Sequence, residues 1–101
     1  MDTTFHFMVD FTLPDFLSSE FLNLIPEQRQ VVDLFFSEGS LVNYMLALDD
    51  AKLWAVFCAN SEYEVMQKIA ELPLTQFMEV KISQLTMHNT KQINVPVFSM
   101  N

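Results

Sequence analysis

Residues 41–59 read LVNYMLALDDAKLWAVFCA. Two apolar runs of strand length, 41–48 and 52–59, meet at the polar stretch DDAK. Such a pattern predicts a β-hairpin, although the turn lacks the favoured Asn-Gly pair. Both runs are apolar on both sides, so both faces of any sheet they join need cover. A hairpin in mid-chain also makes the sheet antiparallel at that point, because a parallel pair needs a long crossover between its strands.

Working outward, each side of the hairpin carries a helix pattern and then a strand. Upstream, residues 18–37 have helical spacing, with Ser18 or Ser19 as the cap. Pro26 either kinks this helix or opens a second one, where its missing N–H costs nothing. Val31, Leu34 and Phe35 are expected to form its buried stripe, widened by Val32 and Phe36, with Gly39 ending it. Downstream, Ser61 and Glu64 form an S-x-x-E capping box opening a helix over 62–72. Val65, Met66, Ile69 and Leu72 are its expected buried stripe. The first strand, FHFMVDFTL at 5–13, alternates strictly, with Phe5, Phe7, Val9, Phe11 and Leu13 on one side. The last, FMEVKISQL at 77–85, places Met78, Val80 and Ile82 on one side. The order is β-α-β-β-α-β, the ferredoxin-like α+β arrangement with two helices on one face of a single antiparallel sheet. An extended apolar tail, INVPVFSM at 93–100, follows. The domain reading is 1–89 for the fold and 90–101 for a tail that contacts a partner subunit.

Composition excludes several function classes. The chain has 101 residues, half of them hydrophobic, and a single glycine. One glycine rules out Gly-rich phosphate loops and dinucleotide fingerprints. The net charge of −8 comes from 13 acids and 5 scattered bases, so no basic patch exists for nucleic acid or an anionic membrane. Cys58 is the sole cysteine, which fits a reducing cytoplasm and reads as a buried small hydrophobe, not a nucleophile. The first residues lack the basic and apolar regions of a signal peptide, and no run approaches a membrane span. Ten Phe and seven Met in so short a chain suggest a subunit interface beside the core.

The segment ELPLTQFMEVKISQLTMH, residues 71–88, resembles the C-terminal signature of the muconolactone isomerase family. Its Leu72-Pro73-Leu74, two residues, Phe77 and Met78 match the run between the family's last helix and last strand, with His88 as the terminal match. Phe5-His6, Leu13-Pro14 and Glu38-Gly39 agree as well, so the likeness spans about residues 4–89. The resemblance implies a dimeric α/β barrel of two four-stranded sheets, assembling into larger rings. It also implies a cofactor-free and metal-free shift of a C=C bond in an unsaturated lactone bearing a carboxylate. Such a shift needs a base, a group that stabilises the dienolate and a cation for the carboxylate. The chain departs from the pattern in three places. Residues 42–46 are uncharged where the family carries Arg and Trp, Met8 stands where it has Lys, and its acid-rich first helix reads Glu27-Gln28-Arg29-Gln30. An amide is no proton-abstracting base.

The candidate residues follow from that demand. Glu27 and His6 are the candidate bases, against the plainer readings of a solvated first-turn acid and a hydrogen-bonded interface imidazole. Arg29 and His88 are candidates for holding the anionic part. Tyr44 and Trp54 lie on paired strands and are candidate pocket walls, with the tyrosine hydroxyl orienting a ligand. Two histidines without a clustered carboxylate make no zinc site. The expectation is a homodimer or larger ring, self-partnered and binding a small apolar lactone or aromatic acid. It acts either as an isomerase or as a non-catalytic binding or structural paralogue. A heme- or oxygen-handling role rests on analogy with the wider barrel superfamily alone. The Leu-Pro-Leu linker is expected to form a pocket wall shared between subunits.

Overall fold

Alternating side chains make residues 5–12 a strand, and they do so in the computed structural model, which describes residues 4–91. The elements are β1 (Phe5–Thr12), α1 (Ser19–Glu38), β2 (Leu41–Ala47), β3 (Lys52–Ala59), α2 (Glu62–Glu71) and β4 (Glu79–Gln84), with short 3-10 turns at Leu48–Asp50 and Pro73–Phe77. The sheet order is β2-β3-β1-β4, all antiparallel. This is the ferredoxin-like α+β fold expected from the element order. The tail at 93–100 lies outside the described residues, as does most of the 90–101 segment.

Register fixes which side chains meet the helices. Phe7 pairs with Phe57, Val9 with Ala55 and Phe11 with Leu53, and all six are buried in one core. Val32 and Phe35 of α1, and Val65 and Ile69 of α2, complete that core, with Phe35 edge-on to Phe57 at 6.1 Å. The opposite sheet face carries His6, Met8, Asp10 and Thr12 of β1 beside Cys58, Val56, Trp54 and Lys52 of β3.

Local signals hold where they are covalently close. Ser18 caps α1 by accepting from the Phe21 N–H at 3.1 Å. Gly39 ends it at φ 83°, a left-handed conformation that glycine adopts without a Cβ penalty. Ser61 accepts from the Glu64 N–H at 3.2 Å, while Glu64 reaches back to the Asn60 N–H at 3.3 Å. The hairpin turn closes through Ala51 at φ 54°.

Other expectations change. α1 runs unbroken through Pro26, which lies within its span. Proline there deprives the Leu22 carbonyl of its helical donor, but both residues are exposed, so the freed carbonyl is open to solvent. The buried residues of α1 are Phe21, Gln28, Val32 and Phe35, with Val31 packed partly buried against the core, so Val31, Val32 and Phe35 of the expected stripe face inward and Leu34 and Phe36 do not. Leu34 is 52% and Phe36 43% exposed, because α1 lies with its Phe35 edge on the sheet. Met66 of α2 and Val80 of β4 are also exposed. β4 starts later than expected because residues 73–77 are wound into a 3-10 turn led by Pro73. Cys58 is half-buried on the helix-free face instead of fully buried.

Candidate functional site

A cavity of about 440 Å³ opens between α1, the hairpin and the Pro73–Phe77 turn. Its walls are mostly leucines and other apolar side chains, among them Leu13, Phe21, Leu53, Leu74 and Met78. Among the described residues, three polar side chains line it: Gln28, Arg29 and Tyr44. The volume falls within the roughly 300–1,000 Å³ usual for small-molecule sites. The Leu-Pro-Leu segment contributes directly. Leu72 is in the core, Pro73 starts the 3-10 turn, and Leu74 forms part of the cavity wall.

Gln28 is only 2% exposed, yet both ends of its amide are satisfied. Its Oε1 accepts from the Leu74 backbone N–H at 3.1 Å. Its Nε2 donates to the Tyr44 hydroxyl oxygen at 3.1 Å. One side chain thus ties α1 to β2 and to the Leu-Pro-Leu turn. Burial raises the Tyr44 pKa, with the Gln28 hydrogen bond opposing it more weakly. Tyr44 is therefore a neutral hydroxyl at ordinary pH, able to donate a hydrogen bond. Arg29 follows Gln28 on α1, is exposed, and makes no ion pair among the described residues.

The sequence-derived candidates divide between two places. Arg29 and Tyr44 line the cavity. Glu27 is exposed and does not line it. Trp54 is on the helix-free face, since Tyr44 pairs with Ala55 while Trp54 pairs with Met45 and Asp10. His6 lies on that same face, its ring 4.7 Å from the ring of His88. His88 Nε2 sits 3.1 Å from Asn43 Oδ1 on β2. The chain beyond β4 therefore crosses the helix-free face from the β4 edge, where the Leu85 N–H donates to the His6 carbonyl at 2.8 Å, towards β2. Among the described residues no group of three or more His, Cys, Asp or Glu is placed to hold a metal ion. Gln28 is the site residue that sequence reasoning noticed only as a lost carboxylate. Its partners are 16 and 46 residues away, and no local pattern announces them.

Residues 4–91 match the family model for muconolactone delta-isomerase, which is most of the chain. The chain belongs to the muconolactone delta-isomerase family. A crystal structure of muconolactone isomerase superposes with a TM-score of 0.68 at 19% identity, covering 89% of this chain and 97% of that one. At that identity the likeness establishes the shared fold. No curated protein matches by sequence search. Among the described residues, this member's cavity lining includes no carboxylate and no imidazole. No helix among the described residues is long and apolar enough to cross a membrane.

Proposed function

We propose that this family member binds a small, apolar-bodied lactone or related carbonyl compound in the cavity between α1 and the sheet. The observation that carries the reading is the lining itself: an apolar enclosure of about 440 Å³ with Gln28, Arg29 and Tyr44 as its polar groups. Few convergent polar groups in an apolar pocket orient a ligand without surrendering the hydrophobic drive for binding. Arg29, at the solvent side, suits a carboxylate on the ligand's outer end. The test is ligand titration with unsaturated lactones and aromatic acids, followed by thermal unfolding. A ligand at a hundred times its Kd adds about 2.7 kcal/mol of stability. Leu74→Trp, which fills the cavity, should abolish the shift; an undiminished shift would place the ligand elsewhere.

A second reading, isomerase turnover, is favoured by family membership. Moving a C=C bond takes a proton from carbon, and that needs a base beside the ligand. Glu27 and His6 are the candidates by chemistry, but Glu27 is exposed outside the lining and His6 is across the sheet. Tyr44 is held protonated, so it fits dienolate stabilisation better than proton abstraction. Binding without turnover is therefore the favoured function. Deuterium uptake from heavy water into a bound lactone, above the buffer rate, would reverse that preference.

The same reading extends to assembly. A second copy covers the helix-free sheet face, giving a homodimer or larger ring in which residues 90–101 contact the neighbour. The apolar Met45, exposed on that face, and the half-buried Trp54 beside it support this.

A further inference from the structure

The hydrogen bonding around Gln28 leaves one group unexplained. A backbone N–H only donates, so the Leu74 N–H demands the oxygen of the Gln28 amide. The amide NH₂ must then face Tyr44, and it does, donating to the phenol oxygen. A phenol has a single proton. With its oxygen already receiving a hydrogen bond, Tyr44 has that proton to give, and it finds no acceptor among the described residues. Tyr44 is part of the cavity wall. Gln28 is itself too deeply buried for water to reorganise the arrangement.

We propose that Gln28 is a positioning residue that sets the polarity of the cavity: it commits the Tyr44 hydroxyl to donating inward, so the site selects ligands that present a hydrogen-bond acceptor, a carbonyl oxygen above all, and discriminates against ligands that present a donor. This rests on the reading of the cavity as a small-molecule site and narrows it to a ligand chemistry. The direction of the chain of bonds is fixed at one end by the peptide backbone and transmitted through one amide. A carboxylate at position 28 would reverse it. Glutamate accepts from the Leu74 N–H and from the Tyr44 O–H alike, which turns the phenol proton away from the cavity and leaves its oxygen free to accept.

Two matched pairs of probes read the polarity on the full-length chain. Acetophenone and α-methylstyrene have the same shape and differ by C=O against C=CH₂. Indole and indene differ by N–H against CH₂. Affinities are measured by titration for wild type, Tyr44→Phe, Gln28→Glu and the double variant. Taking each preference relative to Tyr44→Phe cancels the difference in hydrophobicity. Wild type should prefer the ketone roughly tenfold, as one net hydrogen bond provides, and show no preference for indole. Gln28→Glu should lose the ketone preference and gain about tenfold for indole. The double variant should show neither, and α-methylstyrene should bind all four proteins within about twofold if the cavity keeps its shape. A gain for indole separates a reversed hydrogen bond from a damaged cavity, since damage does not create a preference.

Gln28→Glu that retains the ketone preference overturns the proposal, because Tyr44 would then be oriented by something else. If the buried carboxylate prevents folding, wild type and Tyr44→Phe decide alone. Equal wild-type preference for ketone and indole shows an uncommitted hydroxyl and overturns the proposal. If wild type binds none of the four probes, the cavity reading falls with it. If it binds all of them without a Tyr44-dependent preference, the cavity reading stands and this one falls.

Discussion

Tyr44 shows two opposing influences on one proton. Burial disfavours the phenolate, the Gln28 hydrogen bond favours it, and burial is the stronger. Its pKa in the folded protein is raised above the ordinary value of about 10. The folded state therefore holds this proton more tightly than the unfolded state. The resulting stability is fully present below a pH of about 10 and is lost as pH rises through the folded value. Denaturation curves across the alkaline range should fall more steeply for wild type than for Tyr44→Phe; parallel curves would refute the assignment. A second residue-scale expectation concerns Gly39. No atom lies within 4 Å of where its Cβ would be, so Gly39→Ala meets no clash. The left-handed φ of 83° remains, and the substitution should cost about 1 kcal/mol in denaturant titrations without changing ligand affinity. Gly39 was legible because its signal is local. The separation of Tyr44 from Trp54 was not. Which residues of a hairpin share a face depends on a register set by the turn, and a slip of one residue exchanges the faces. DDAK, closed through a left-handed Ala51, carries no standard turn signature from which to read that register.

The helices separate what sequence can say from what packing decides. Caps are contacts between residues three or four apart: Ser18 and Ser61 make the bonds their spacing predicts, whereas Glu64 reaches one residue further back, to the Asn60 N–H and not to that of the cap itself. Ser61→Ala should accordingly cost about 1 kcal/mol of stability. The buried stripe of α1 is different, because the helix has more apolar residues than one face can hide. Leu22, Leu34 and Phe36 are exposed, while the polar Gln28 occupies a buried position. Hydrophobic periodicity ranks faces by apolar content and would not choose the one containing a glutamine. It is chosen because the Leu74 N–H and the Tyr44 hydroxyl satisfy that glutamine on the far side of the cavity. Pro26 makes the same point in reverse. Helix interiors disfavour proline, yet α1 continues through it on an exposed side. Pro26→Ala restores a donor to the Leu22 carbonyl and should stabilise the fold by about 1–3 kcal/mol. Unchanged or lower stability would mean that the proline is offset by its restriction of the unfolded chain.

At the scale of the molecule, the two sheet faces differ in how they are covered. Helices cover one. Across the other, the chain beyond β4 reaches His6 and Asn43 and leaves Met45 42% exposed on β2 beside Trp54 on β3. The ion pair of Lys52 and Asp10, at 3.1 Å with Thr12 also accepting from the ammonium at 2.8 Å, lies on this face and is satisfied within one chain. A second copy can therefore cover the apolar part without having to neutralise the charged part. Charge opposes such pairing, since each copy carries −8. That repulsion is long-range and screened within about 10 Å at 0.1 M salt, whereas apolar burial is not. Two consequences distinguish this interface from association through the exposed helix faces. Assembly should strengthen as salt rises from low to moderate concentration. Met45→Glu should weaken it by adding an unpaired charge that the second copy would have to bury, while Leu34→Glu on the outer side of α1 should leave the proposed dimer intact. Sedimentation of wild type and both variants reads the outcome, and far-UV circular dichroism confirms that each subunit stays folded. A wild-type chain that sediments as a single subunit at all salt concentrations would leave this face in water and remove the reason for its methionine and tryptophan. Dissociation by Leu34→Glu with Met45→Glu still paired would move the interface to the helices.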